Sequence, residues 1–401
     1  MGKKYVLLIF FLSLILRICF ILTLDNSVDV WGDWWDELGW KIASGKGYWV
    51  ENPYFPNGPK FYAWRSPGFP LFLALIYKIF GHSYLAAKIG LAILSSFTVV
   101  LIYLLGKILV DEKTGFWASL IYSIYPASIF WTGYLAPETI TAFLLILSIF
   151  LILKGEIENR KFLYFVFGGL FFGYLCITRP TFLILCPFLI LILLLKYRKK
   201  ILFQLILMTI FMCIFPLSWG IRNFKVLNYF VLTSTEGGIV FFIANNQYSL
   251  NTPSGFYHAE NIEEFKGLSE VEIDKLLYKK TFEFIKKNPK LYAKLVFDRF
   301  LRFWRFYPHS ISGPGTPYKK WHQIISFLWE TPIILLSFSG IFISLKEFKK
   351  WALIYSIIFI YSGISILIRT TIRYRFPITG FLIIFGVYFI KQIKKYGKKY
   401  F

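Results

Sequence analysis

The sequence predicts an all-α membrane protein that crosses the bilayer about ten times. Apolar residues make up 57% of its 401 residues, which is more than a soluble domain usually carries. They fall into long runs, and basic clusters stand between many of those runs. One water-soluble core cannot bury this much apolar surface, so much of it must face lipid.

The apolar runs define the predicted spans, of which several are close to the shortest length that crosses the hydrocarbon. They cover residues 5–24, 84–105, 115–132, 138–153, 162–178, 181–195, 201–218, 323–345, 351–368 and 377–391. The first run lacks a small-residue cleavage site, so we expect an uncleaved helix rather than a signal peptide.

The charges between the spans predict their orientation. With a cytoplasmic N-terminus, the inner loops hold the basic clusters, such as the one at 196–200, and both termini lie inside. The first outer loop instead holds acids, namely Asp25, Asp29, Asp33, Asp36, Glu37 and Glu51. The formal charge of +23 therefore indicates orientation in a membrane and gives no reason to expect nucleic acid.

Two regions are predicted to lie outside the membrane, at 25–83 and 219–322. In the first, the apolar stretch 67–80 is too short for a span, which favours a juxtamembrane or re-entrant helix. In the second, Ser269 and Glu272 form a capping box that begins a helix, and a basic amphipathic helix at about 290–306 is expected on the bilayer surface. The predicted division is a catalytic membrane module at 1–218, an outer region at 219–322 and C-terminal spans at 323–401.

Three acids are candidates for acid–base chemistry. Asp33 and Asp36 lie in a Trp-rich segment just beyond the first span, where a carboxylate could act as a general base or simply mark topology. Glu138 follows Pro137 at the outer mouth of a span. It could line the same cavity, or it could only interact with the helix dipole.

Arginines at the outer ends of spans run against the usual inside bias of positive charge. The set is Arg65, Arg179, Arg222, Arg373 and Arg375. Together they favour a phosphate or pyrophosphate ligand on the outer face. For Arg179, the reversal with Pro180 at the interface is by itself a sufficient explanation.

The sequence lacks the motifs that are typical of several other functions. No phosphate-binding P-loop or GxGxxG fingerprint is present, the spans lack paired internal acids, and no cysteines form a CxxC pair. The four histidines, His82, His258, His309 and His322, lie far apart in the chain. The segment His258-Ala259-Glu260 is only a weak hint of a metal, and a solvated loop explains it as well.

Several short motifs, taken in order along almost the whole chain, resemble those of the GT-C superfamily of polytopic glycosyltransferases. The similarity is to glycosyltransferase family 39 and to the aminoarabinose-transferase-like enzymes. The segments that carry it are Gly32–Gly47, Arg65–Ala74, Tyr125-Pro126 with Pro137-Glu138-Thr139, Arg179-Pro180, Arg222-Asn223 with Gly237-Gly238 and Asn245-Asn246, and Arg373–Pro377.

The resemblance implies a GT-C fold and an inverting transferase in the cytoplasmic membrane, with its active site on the outer face. The donor would be a sugar on a polyprenyl phosphate, and the acceptor a hydroxyl of a glycan, a lipid or a protein. Asp33 would be the base, with Asp36 as the alternative, and the arginines would bind the donor phosphate. Asn245 and Asn246 would belong to a substrate loop, and a divalent cation is the one cofactor left open.

Two other functions remain open on the sequence alone. One is an O-antigen polymerase or ligase, and the other is a non-enzymatic flippase or transporter of lipid-linked glycans. Loss of transfer on removal of the Asp33 carboxylate would distinguish the glycosyltransferase from both.

Overall fold

A computed structural model describes residues 3–27, 33–55, 58–158, 161–251, 263–309 and 318–400. Throughout these ranges the chain is helical, apart from turns and one isolated bridge between Val50 and Phe61. The described helices are α1 (Lys3–Leu22), α2 (Trp35–Ala43), α3 (Gly68–Phe80), α4 (Tyr84–Leu109), α5 (Glu112–Ile124), α6 (Pro126–Phe130), α7 (Glu138–Ile157), α8 (Phe162–Thr178), α9 (Thr181–Tyr197), α10 (Leu202–Leu227), α11 (Gly237–Ala244), α12 (Glu270–Lys287), α13 (Pro289–Phe303), α14 (Lys320–Ser344), α15 (Phe348–Ile368) and α16 (Thr379–Tyr400).

Six segments are long and apolar enough to cross a membrane, by length and composition. They are Lys4–Leu22, Tyr84–Leu109, Glu138–Ile157, Leu202–Leu227, Lys320–Ile368, which contains both α14 and α15, and Ile372–Lys395. Two shorter apolar helices, α8 and α9, lie at other predicted spans. The chain is therefore an integral membrane protein, whereas the predicted number of about ten spans is not confirmed.

One predicted span, 115–132, does not form a single helix. Helix α5 ends at Ile124, and α6 begins at Pro126. Proline has no N–H to donate and disfavours helical geometry in the residue before it. Tyr125 accordingly takes an extended conformation, with φ −66° and ψ 120°.

The predicted outer loops come together at one end of the helix bundle, which we call the outer end. Residues next to the predicted outer ends of different spans are in direct contact there. The contacts are Arg179 with Glu138 at 3.2 Å, Arg373 with Glu138, and Lys88 with the Asp25 carbonyl at 3.2 Å. The predicted inner loops meet at the opposite end, through Lys391 with Asp111 at 2.7 Å and Lys196 with Glu156 at 2.9 Å. The alternation of spans deduced from charge thus agrees with the packing, while the side of the membrane stays a prediction.

Helix α3 begins and finishes at the outer end. At its start, Gly68 packs so closely on Thr178 that any side chain there would collide with it. At its finish, Gly81 turns the chain into α4 with a φ of 73°, which favours glycine. Because both termini lie at one end, α3 does not cross the bundle, which agrees with a juxtamembrane helix.

The two outer regions pack together over the outer end. A separate apolar cluster joins the first loop to the second region, and it includes Leu38, Tyr54, Trp64, Phe265 and Leu277. The capping box predicted at Ser269 and Glu272 is confirmed at the start of α12. Helix α13 ends at Phe303, and its Arg299 is buried rather than on a basic surface.

Candidate functional site

The Trp35 indole lies between two arginines from distant parts of the chain. The guanidinium carbons of Arg65 and Arg373 each lie 5.6 Å from the centre of its ring. Trp35 is the first residue of α2, and the turn that presents it places Trp34 in the left-handed region, with φ 60°. Two positive charges are therefore held on one aromatic side chain, an arrangement favourable through cation–π interaction.

Arg65 belongs to a group of charges at the first loop. Its guanidinium lies 3.1 Å from Asp33 and also pairs with Glu236, which precedes α11. The Tyr48 hydroxyl donates to the Arg65 carbonyl at 2.7 Å and so anchors the backbone. Asp33 keeps 32% of its side chain exposed, so its carboxylate is accessible as well as oriented.

Arg373 belongs to a second group, around Glu138. The Glu138 side chain is fully buried, and its Oε1 accepts from both Arg179 and Arg373. Its Oε2 has no hydrogen-bond partner among the described residues, although a buried carboxylate oxygen normally has one. Arg179 also lies over the Tyr374 ring at 4.3 Å. The structure thus brings together Glu138, Arg179 and Arg373, three of the residues that the sequence proposed for the site.

Asp36 lies apart from both groups. It is buried and accepts from His82 at 3.0 Å, from the Tyr84 hydroxyl at 3.3 Å and from the Tyr77 hydroxyl. The His82 ring is stacked on Trp40. The two candidate acids therefore differ sharply, because Asp36 is enclosed by its partners whereas Asp33 faces a cation at the surface.

A cavity of about 540 Å³ opens beside Arg373. Its walls come from the end of α1, from α6 and the turn after it, from the first half of α14 and from the 372–379 segment. Most of the lining is apolar, including Phe20, Leu24, Phe130, Trp131, Trp321 and Ile325. Trp321 and Ile325, which both line it, are among the large apolar side chains that are exposed, so the cavity adjoins the surface expected to face lipid.

Arg375 is placed differently from the other predicted phosphate ligands. It is fully buried and donates to the carbonyls of Phe303 and Arg305 and to Glu330, the last at 3.0 Å. Glu330 in turn accepts from Tyr125. The sequence analysis did not select Glu330, although a single acid inside the apolar run of α14 was a signal for it.

Three further predicted residues lie in the framework around the site. Arg222 donates to the Tyr48 carbonyl at 2.9 Å and so holds the first loop on α10. Asn245 accepts from Arg299 at 2.8 Å, and Asn246 donates to the Phe242 carbonyl at 2.9 Å. Their hydrogen-bonding groups are largely used within the protein.

The donor set does not suit a divalent cation. The carboxylates nearest the site already face arginines, two of them in the case of Glu138. No group of three His, Cys, Asp or Glu residues that could hold a metal occurs among the described residues. His258 and Glu260 lie outside those residues.

Comparison with known proteins agrees with this architecture. The sequence model of the dolichyl-phosphate-mannose-protein mannosyltransferase family matches residues 64–219. The search of curated protein sequences gave no match. Among solved structures, the apo oligosaccharyltransferase of Archaeoglobus fulgidus has a TM-score of 0.56 at 12% identity, over 98% of this chain and 51% of that chain.

Two further solved structures are similar. The same enzyme, AglB, in complex with an inhibitory peptide and a dolichol-phosphate has a TM-score of 0.56 at 12% identity, over 99% of this chain and 51% of that chain. ArnT from Cupriavidus metallidurans bound to undecaprenyl phosphate has a TM-score of 0.45 at 11% identity, over 98% of this chain and 79% of that chain. The chain therefore spans about half the length of the oligosaccharyltransferase.

These findings show that the chain is a polytopic membrane protein with the fold of the Archaeoglobus fulgidus oligosaccharyltransferase. More particularly, residues 64–219 are similar to the dolichyl-phosphate-mannose-protein mannosyltransferase family. The resemblance deduced from the ordered motifs is confirmed.

Proposed function

We propose that this protein transfers a sugar from a polyprenyl phosphate to an acceptor hydroxyl. The reaction would take place at the outer face of the cytoplasmic membrane. The observation that carries the proposal is one continuous arrangement. Arg373 lines an apolar cavity, and it lies against the same Trp35 ring as Arg65, which pairs with Asp33.

The cavity suits the lipid part of such a donor. A prenyl chain gains its binding free energy from burial of apolar surface, and this cavity is lined mainly by aromatic and aliphatic side chains. A phosphate at its polar end would meet Arg373, which can donate charge-assisted hydrogen bonds. The dolichol-phosphate in the AglB complex supports a ligand of this kind, because the two proteins share the fold.

The chemistry needs one base and one stabilised leaving group. The acceptor oxygen forms a bond to the anomeric carbon while the bond from that carbon to the phosphate oxygen breaks. Asp33 takes the proton of the acceptor hydroxyl, and the polyprenyl phosphate leaves as an anion that Arg373 stabilises. Attack from the face opposite the phosphate inverts the anomeric configuration.

Asp33 is favoured over Asp36 by its surroundings. It is partly exposed and lies in the same group as Arg65, so an acceptor can reach it. Asp36 is enclosed by two tyrosines and a histidine. Glu138 would act through Arg373, whose guanidinium it holds with its Oε1.

A transfer assay with purified protein tests the proposal. We expect turnover of at least one sugar in a panel of polyprenyl-phosphate sugars, measured as released polyprenyl phosphate. Asp33→Asn should fold and reduce turnover by about 10²–10⁴-fold. The matched control is Asp111→Asn, which removes a carboxylate at the inner end and should leave turnover unchanged.

The same assay shows whether Asp33 or Asp36 is the base. If Asp36→Asn alone abolishes turnover, the base is the other carboxylate of the same segment. Normal turnover in both variants, or none in the wild type with any donor, would overturn the proposed function.

A further inference from the structure

The start of α14 brings two polar side chains to the cavity that the proposed mechanism does not use. Tyr318 and His322 both line it, together with Tyr134 and Arg373. The rings of Tyr318 and His322 lie 5.7 Å apart. They therefore form a polar patch in a lining that is mostly apolar but also includes Ser326, Glu330 and Arg375.

The hydrogen bonding of His322 determines which ring nitrogen can serve a ligand. Its Nδ1 accepts from the backbone N–H of Lys319 at 3.1 Å, at the first turn of α14. A neutral imidazole has one donor and one acceptor nitrogen, so the proton must then lie on Nε2. The ring is also stacked on Trp321, which limits its rotation. His322 thus presents a fixed N–H donor.

Tyr318 shares its surroundings with the predicted phosphate ligand. Burial raises the pKa of its phenol, with Arg373 opposing that rise and Tyr134 and Glu138 adding to it. A phenol that stays protonated is a hydrogen-bond donor. Its electrostatic interaction with Arg373 and Glu138 places it beside the group that would receive the headgroup.

We propose that Tyr318 and His322 bind the anionic phosphate of the lipid donor from the α14 side, opposite Arg373. The proposal rests on the proposed function and adds two ligands to the donor site. Each would donate one hydrogen bond to a phosphate oxygen. Because both belong to the wall that adjoins lipid, they would orient the headgroup where the prenyl chain enters the cavity.

Two substitutions of His322 separate ligand binding from a structural role. His322→Asn keeps an acceptor near the position of Nδ1 and can retain the bond from Lys319, but it lacks the Nε2 donor. His322→Gln keeps an N–H near the position of Nε2 and loses the acceptor toward Lys319. The two variants should therefore have opposite effects on binding and on stability.

The measurement is binding of a short-chain polyprenyl phosphate to the detergent-solubilised full chain, with the corresponding polyprenyl alcohol as a ligand without the phosphate. We expect His322→Asn and Tyr318→Phe each to weaken binding of the phosphate by about 10- to 100-fold, since hydrogen bonds to charged groups are strong. His322→Gln should bind within about threefold of the wild type, because it keeps a donor in place. Binding of the alcohol should be the same in all four proteins.

Thermal unfolding of the same samples completes the test. His322→Asn should unfold like the wild type, whereas His322→Gln should unfold at a lower temperature. Equal weakening of phosphate binding in both His322 variants, or none in either, would overturn the assignment. If the wild type fails to prefer the phosphate over the alcohol, the proposed donor itself is wrong.

Discussion

The two ends of the helix bundle differ in how their charged side chains are paired. At the outer end, charged side chains are buried and share partners, as when Glu138 accepts from both Arg179 and Arg373. At the inner end each pair stands alone: Lys391–Asp111 is substantially exposed, whereas Lys196–Glu156 is largely buried. An exposed pair contributes little to stability, whereas a buried charge is costly unless it is well paired. We expect the shared, buried charges of the outer end to serve binding, and the single pairs of the inner end to contribute mainly to orientation.

The largest expected contrast between the two ends is access from outside the cell. In a variant without the four native cysteines, a cysteine at Lys46 should react with a membrane-impermeant reagent in intact cells. A cysteine at Lys350 should react only after the cells are opened, because it belongs to a predicted inner loop. Labelling at Lys350 in intact cells would reverse the topology and move the site to the cytoplasmic face.

The next contrast is in the free energy of unfolding. Glu138→Gln leaves two arginines with one neutral acceptor, and breaking a buried pair of this kind typically costs about 3–5 kcal/mol. The matched change at the inner end, Lys391→Gln, removes one partner of an exposed pair and should cost at most about 1 kcal/mol. Denaturant or thermal unfolding in the same detergent compares them. Equal losses would show that the outer charges are no more tightly coupled than the inner ones.

Two neighbouring arginines at the outer end are expected to have different roles, Arg373 in ligand binding and Arg375 in stability. Arg373→Gln should weaken binding of a polyprenyl phosphate by about 2–5 kcal/mol, because a charge that contacts the ligand is lost. Arg375→Gln should instead lower the thermal stability, since Arg375 joins α13 to α14 through Glu330. If Arg375→Gln loses binding without losing stability, Arg375 is a phosphate ligand after all, as the sequence predicted.

The smallest expected effect concerns pH and the outer region. Burial raises the pKa of Asp274 to about 6 from 3.8, while the bond from the Gly238 N–H opposes the rise and Glu236 adds to it. The folded state thus binds the proton more tightly than the unfolded state. The stability that this provides is present below about pH 4 and is lost as the pH rises to about 6.

Asp274→Asn removes this dependence, because the amide is uncharged at every pH and can still accept from Gly238. We expect the variant to exceed the wild type in stability by about 1–2 kcal/mol at pH 8, with a smaller difference at pH 5. Thermal unfolding of both proteins at the two pH values measures it. A variant less stable than the wild type at pH 8 would contradict the cause given for the shift.

Much of the architecture followed from patterns that act locally. The alternation of spans could be deduced because loop charge and apolar length are set by the bilayer rather than by other helices. The capping box at Ser269 was equally readable, since its two partners lie three residues apart. The break at Pro126 was also visible in the sequence, but the apolar run around it concealed the end of α5.

The site divided into a predictable and an unpredictable part. The sequence proposed one group of three acids and five arginines. In the structure, Arg65 and Arg373 lie against Trp35, and their carboxylate partners are Asp33 and Glu138, whereas Asp36, Arg222 and Arg375 have other partners. The partners of Asp36 could not be foreseen, because His82 and Tyr84 are separated from it by 46 and 48 residues. The polar patch of Tyr318 and His322 could not be foreseen either, because neither residue belongs to a sequence motif.

The sequence by itself determined the membrane character, the alternation of helix ends and the set of chemically active residue types. These depend on composition, on loop charge and on short-range spacing. Only the tertiary structure decided which charges are available to a ligand. Arg373 and Arg375 stand two residues apart in one motif and both line the cavity. Arg373 pairs with Glu138 and keeps part of its side chain exposed, whereas Arg375 is fully buried and its guanidinium is held by α13, the turn after it and α14. The physical reason is that a buried guanidinium takes its partners from whichever helices pack around it, and that packing is a property of the whole bundle.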